Sequence, residues 1–140
     1  ANLSKADLNN ANLENANLYR ADLSDSNLSE SCLHRAYLSG ANLSGANISS
    51  ADLSDADIYE ANLSKADLSN ANLENANLYR ADLSNSNLSH SNLRGTSFGG
   101  ATLLNADLAG AKYSSNTKWP NDFETDLRAH GVDTLVLVED

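Results

Sequence analysis

Methionine is absent from the 140 residues, and cysteine, proline and tryptophan each occur once. A single Cys32 excludes an intramolecular disulfide framework. Basic residues are scarce, nine against nineteen acids for a net charge of −10, which argues against direct nucleic-acid binding because phosphate recognition needs clustered Lys and Arg. Nowhere does an apolar run approach the roughly 18 residues of a membrane-spanning helix. Val, Ile, Phe and Trp together fill only eight positions, whereas Leu, Ala, Asn and Ser fill 82. That bias resembles low-complexity disorder, but the apolar residues are ordered along the chain in a way that disorder does not require. The length suits one domain.

The order is a repeat of five. From Leu3 to Tyr113 every fifth residue is large and apolar or aromatic, with Ile48, Ile58 and Phe98 among the variants, giving 23 pentads without an insertion. Two positions before each centre stands Ala, or Ser at Ser26, Ser31, Ser86 and Ser91, or Thr at Thr96. Immediately before the centre stands Asn or Asp in 18 of the 23 pentads. The consensus is A-[ND]-L-x-x.

Neither standard element carries that period. An α-helix turns through about 500° in five residues, scattering the leucines around its axis, and a strand sends them to alternating faces. A chain that turns a corner every five residues keeps the large and the small residue inside and the other three outside. Four corners close a square coil of 20 residues, and such coils stack about 4.8 Å apart, building dry leucine columns.

A-[ND]-L-x-x over residues 1–115 resembles the pentapeptide-repeat proteins. The resemblance implies an all-β fold, a right-handed quadrilateral parallel β-helix of about 5.75 coils at 20 residues per coil, followed by a capping tail over 116–140. A longer repeat is superimposed. Residues 1–30 and 61–90 agree at 27 of 30 positions, an offset of three whole coils, so duplication returns each residue to the same face without functional selection.

Candidate chemistry is sparse. A leucine-packed square rod has flat walls and lacks the cleft that catalysis needs. His34, His90 and His130 have no carboxylate partner at a recognisable spacing. Cys32 and His34 point outward from one pentad, but zinc needs three or four ligands and no second such pair exists, so neither a metal site nor a catalytic cysteine is expected. No cofactor is implied. Six N-x-S sequons, at Asn2, Asn27, Asn42, Asn47, Asn62 and Asn87, follow from the repeat itself and carry no weight as glycosylation signals.

Sorting by face is more informative, because residues 20 apart stack. Tyr19, Tyr59 and Tyr79 follow the centre on one wall, with Ser39 in the gap; Arg20, Glu60 and Arg80 lie next to them, and Tyr37 precedes the centre on the same wall. Exposed aromatics with arginines have the composition of a protein-interaction surface, so Tyr19, Arg20, Tyr37, Tyr59, Tyr79 and Arg80 form the candidate interaction wall. The competing account is that stacked rings only support neighbouring coils. Glu14, Arg35, Asp55, Glu74 and Arg94 on the preceding face read as an ordinary solvated mixture of charges.

The pattern stops at Asn116. Asn121 with Glu124 reads as a capping pair for a short helix, Phe123 and Leu127 share one of its faces, and Gly131 suits its end. An extended apolar segment, Leu135 to Val138, follows with no evident pairing partner. The W-P-x-x-F stretch looks like the C-terminal capping segments of many cyanobacterial-type pentapeptide-repeat proteins. An open last coil exposes apolar core and unpaired backbone, so Trp119, Pro120, Phe123 and Leu127 are expected to cover it; a dimerisation device, with end-to-end self-association, is the alternative. The repeat already begins at residue 1, which leaves a processed or partner-covered start open, and the compartment with it: cytoplasm, or periplasm or thylakoid lumen after removal of a signal peptide.

A non-enzymatic, rigid module that binds an unidentified protein is the reading these features favour. The resemblance also implies an alternative, because some pentapeptide-repeat proteins bind DNA gyrase as acidic mimics of duplex DNA. Residues 1–115 carry 13 acids and 7 bases. A rod of roughly 28 Å of duplex would carry about 16 phosphate charges, far above this net of −6. Ice binding would want threonine ranks, and the solenoid holds only Thr96 and Thr102.

Overall fold

The computed structural model describes residues 1–121, 123 and 135–138. Each pentad makes one side of a four-sided coil, and the side repeats 20 residues later: Asn2 bridges Asp22 in parallel, Asp7 bridges Asn27, and the series continues to Asn92 with Lys112. The chain is a parallel β-solenoid. Among the described residues regular strands are confined to its end, where β1 (Lys112–Tyr113) pairs with β2 (Val136–Leu137).

Backbone hydrogen bonding explains why five residues suffice for a side. Within one pentad the centre donates to the next coil (Leu23 N–H to Asn42 O, 2.7 Å), as does the corner residue (Asp25 N–H to Ser44 O, 2.9 Å), while the residue before the centre donates to the previous coil (Asp22 N–H to Ala1 O, 2.9 Å). The small residue of the next pentad closes the turn (Ser26 N–H to Leu23 O, 3.2 Å). That leaves the residue after the centre, whose amide lies outside the ladder. Its acceptor is the Asn or Asp two positions earlier: Ser24 N–H donates to Asp22 Oδ1 at 3.1 Å. All eighteen Asn and Asp residues at this position do the same. Every amide of the unit is thereby satisfied, which an element with buried backbone requires. A serine after the centre often adds its hydroxyl to the same oxygen, as Ser24 Oγ does at 2.7 Å, and this is the physical origin of the N-x-S sequons.

The corner residue takes a left-handed conformation. From Lys5 to Gly110 each fifth residue has positive φ, near 58° at Asn70 and 67° at Gly110, and seventeen of these corners are not glycine. Positive φ at the third residue of a turn closed by an i to i+3 bond is the type II signature. The consensus assigns no residue to this position, and only part of its composition favours it: Asn, Asp and Gly tolerate this region, whereas Lys65, Arg35 and Glu30 do not especially.

Inside, the centres stack into four columns, and Leu23, Leu43, Leu63 and Leu83 are fully buried in one of them. The serines at the small site cost no unpaired hydroxyl, since Ser26 Oγ donates to Leu23 O at 2.6 Å and Ser91 Oγ to Leu88 O at 2.6 Å.

The coil path runs past the last regular pentad. Lys118 bridges Ser97, 21 positions away, so one extra residue is absorbed and Trp119 takes the next core position. Thr117 secures the shift, donating its hydroxyl to Leu93 O at 2.8 Å and accepting Ser114 N–H at 3.0 Å. Trp119 stacks on Phe98 with centroids 5.1 Å apart and planes within 2°, and Phe123 stacks on Trp119 at 5.0 Å. The segment Leu135 to Val138, which has no evident partner in the sequence, finds one in β1: Val136 N–H donates to Ala111 O and Val138 N–H to Tyr113 O, both at 2.8 Å. Leu127, Gly131 and all of the expected helix but its first residues lie outside the described residues.

Candidate protein-interaction wall

Three of the four wall tyrosines owe their outward direction to the corner geometry: the centre points in, so the next residue points out. Tyr59 and Tyr79 stack with planes 3° apart and centroids at 5.9 Å. Beyond them the Tyr79 ring lies over Gly99, where an added Cβ would come 2.7 Å from its Cδ2. Arg80 reaches across this column, its guanidinium 5.6 Å from the Tyr79 centroid and its Nη1 3.3 Å from Glu60 Oε1. The Glu60 carboxylate raises the Tyr59 phenol above the ordinary tyrosine range by hydrogen bonding and also raises Arg80. Arg20 lies 5.2 Å from the Tyr19 centroid.

Tyr19, Tyr37 and Tyr79 are the exposed tyrosines, 56%, 58% and 42% accessible. The structure therefore places all six candidate wall residues on one side of the solenoid, but in two groups: Tyr59, Tyr79 and Arg80 in a stacked, ion-paired set, and Tyr19, Arg20 and Tyr37 around the gap at Ser39. Asn17 and Asp57 complete that gap; sequence reasoning passed over both, because each looks like an ordinary turn residue. The available signal was Tyr37, a large ring in a position that holds Asn or Asp in 18 of the 23 pentads.

The remaining candidates behave as parts of the repeat. His34 Nδ1 lies 2.8 Å from Ser54 Oγ and 4.0 Å from Asp55 Oδ2, and Cys32 is a free thiol. Among the described residues no three His, Cys, Asp or Glu side chains gather as a metal ion would require, and no helix is long and apolar enough to cross a membrane. The Asp residues interleave with Asn: Asn42 Nδ2 donates to Asp22 Oδ1 and Asn72 Nδ2 to Asp52 Oδ1. Asp22 is held below the ordinary aspartate range by the Ser24 hydroxyl and amide. Burial opposes the same shift at Asp52, where the Ser54 hydroxyl and amide, His34 and the Asn72 amide together outweigh it.

At the level of the whole chain, the sequence model for pentapeptide repeats matches in eight copies, over residues 1–35, 36–75 and 76–112. The chain belongs to the pentapeptide-repeat family. Similar solved structures include HetL of the cyanobacterium Nostoc sp. strain PCC 7120, a pentapeptide-repeat protein involved in the regulation of heterocyst differentiation, at 37% identity and a TM-score of 0.70. That match covers 79% of this chain and 54% of HetL, so the chain spans about half the length of that relative. AT2G44920 of the Arabidopsis thaliana thylakoid lumen matches at 30% identity and a TM-score of 0.72, over 76% of this chain and 73% of its own. Alr5209 of Nostoc PCC 7120 matches at 30% identity and 0.52, over 86% of each chain. No curated protein sequence matches.

Proposed function

We propose that this pentapeptide-repeat chain is a non-enzymatic, rigid interaction module whose tyrosine wall contacts a protein partner. The observation that carries the reading is the wall itself: three exposed tyrosines and two arginines fixed on one side of a solenoid whose turns leave little freedom to any of them. Tyr has few rotatable bonds and on a rigid backbone loses little entropy on binding, while the Arg20 and Arg80 guanidinia are already positioned against tyrosine rings. The right-handed coil and helical tail implied by the family belong to the same proposal, as does the capping role of Trp119, Pro120, Phe123 and Leu127.

The acidic-mimic alternative finds less support. Within residues 1–115 no acid stands 20 positions from another acid, whereas Lys5, Arg35, Arg80 and Arg94 each stand 20 positions from one. Stacking thus alternates charge along the rod instead of lining up a row of anions.

Replacing both Tyr59 and Tyr79 by Ser tests the wall. Serine is common at this position, as at Ser39 and Ser64, so the melting temperature should change little. Capture of a partner by the immobilised chain should be lost, and undiminished capture would sink the reading.

A further inference from the structure

The tyrosine column is interrupted once. Between Tyr19 and Tyr59 stands Ser39, and the following corner is Gly40; the space they leave is a cavity of about 370 Å³ lined by Asn17, Tyr19, Tyr37, Ser39 and Asp57. Two of its walls are aromatic rings, both more than half exposed. Asp57 supplies a carboxylate whose Oδ1 accepts Tyr59 N–H at 3.3 Å and Asn77 Nδ2 at 3.0 Å. Among the described residues nothing bonds its second oxygen. Tyr37 stands where eighteen other pentads hold the Asn or Asp that accepts the next outward amide, and among the described residues Ser39 N–H has no acceptor in its place. A ring has been placed here at the expense of a turn hydrogen bond; Cys32, Ser97 and Thr102 forgo the Asn or Asp as well, so it is the exposed ring that sets this position apart.

The same wall shows what such a set of groups holds. Two coils further on, Tyr79 offers its face and Glu60 its carboxylate, and the guanidinium of Arg80 occupies both. At the gap Arg20 already lies over the Tyr19 ring, but among the described residues the Tyr37 ring and the Asp57 carboxylate hold no cation, and the corner residue, Gly40, supplies no side chain. We infer that this notch receives an arginine side chain from a partner protein, its guanidinium against the Tyr37 ring and paired with the free oxygen of Asp57. A planar guanidinium stacks on an aromatic face and forks onto a carboxylate, whereas a lysine ammonium does so as a point charge only. The Arg20 guanidinium lies over the Tyr19 ring, 5.2 Å from its centroid, and its stem passes Gly40, where an added Cβ would come 3.1 Å from Arg20 Cγ. Its charge opposes an incoming cation and would favour an anion, which makes it the discriminating residue. This inference rests on the wall being an interface and narrows the partner to one that presents an exposed arginine.

The test is a titration of the full ¹⁵N-labelled chain with an acetylated, amidated Gly-Arg-Gly peptide, and in parallel with the citrulline and glutamate analogues. The arginine peptide should shift the amides of Tyr37 and Ser39 in a saturable way, and the two analogues should not. Asp57→Asn keeps the oxygen that serves Tyr59 N–H and should weaken binding about tenfold. Tyr37→Asn restores the repeat's own residue, so the fold should melt no lower while binding falls about two- to fivefold. Arg20→Ala should bind the peptide more tightly. An equal response to citrulline, no response at millimolar peptide, or a preference for the glutamate peptide abolished by Arg20→Ala would each overturn the inference. A partner lost on Tyr59 and Tyr79 substitution but indifferent to Asp57→Asn would refute the notch and leave the wall standing; peptide binding at the notch with capture indifferent to Tyr59 and Tyr79 would do the reverse.

Discussion

At the scale of single residues, the corner is where this chain departs most from ordinary proteins. Left-handed φ costs a non-glycine residue about 1–2 kcal/mol, and here seventeen such residues adopt it in one chain. The conformation persists because the ladder on both sides dictates it: Lys65 N–H donates to Ser84 O at 2.9 Å, and Ala66 N–H closes the turn onto Leu63 O at 3.1 Å. Lys65, at φ 59°, is therefore a position where glycine should help. Lys65→Gly should gain about 0.5–1 kcal/mol after the entropy of glycine in the unfolded chain is subtracted, and Lys65→Val should lose about 1–2 kcal/mol because a β-branched residue suits this region worst; urea denaturation of the two variants checks both signs. The Asn or Asp before 18 of the 23 centres was legible in the sequence as part of the consensus, because its role leaves one chemical requirement, an acceptor two residues ahead of an amide. The corner conformation was not, because backbone strain imposed by stacking leaves only a partial mark on side-chain choice.

The element of this fold is the pentad side, and its weakness is that the last ones lack a further pentad to stack on them, so other segments must cover them. Phe98, Trp119 and Phe123 extend one core column in an aromatic stack, with Tyr113 edge-on to Trp119 at 65°. Trp119 is thus the floor on which the described part of the tail rests. Trp119→Ala should cost about 3–5 kcal/mol, read from thermal unfolding, and deletion of residues 116–140 should yield oligomers through the exposed coil edge. A deletion product that stays monomeric and as stable as the full chain would remove the tail's capping role. The sequence announced the aromatic cluster but not the partner of Leu135 to Val138, because a strand pairing with β1 across a 24-residue offset belongs to no repeat register.

At the scale of the molecule, contacts run between coils 20 residues apart, and stability is a sum over neighbouring coils. Excision of residues 61–80 removes one coil and leaves every column in register, so the product should fold with a lower melting temperature and unchanged β-signature per residue. Excision of residues 61–79 shifts every later centre by one position and should prevent the downstream coils from stacking on the upstream ones; circular dichroism and size-exclusion chromatography separate the two outcomes. The duplication of residues 1–30 at 61–90, an offset of three whole coils, shows the same modularity already at work. What the sequence by itself determined was the coil: its period, its inward leucines and its four walls, because a five-residue unit that satisfies its own amides repeats whatever its surface carries. Only the tertiary structure decided where surface groups meet. Tyr37 and Asp57 sit 20 residues apart in the same position of the pentad, yet whether they enclose a site depended on ring direction, on the missing side chain at Gly40 and on which carboxylate oxygen the turn had already engaged. Those are properties of volume and direction, and a one-dimensional pattern does not hold them.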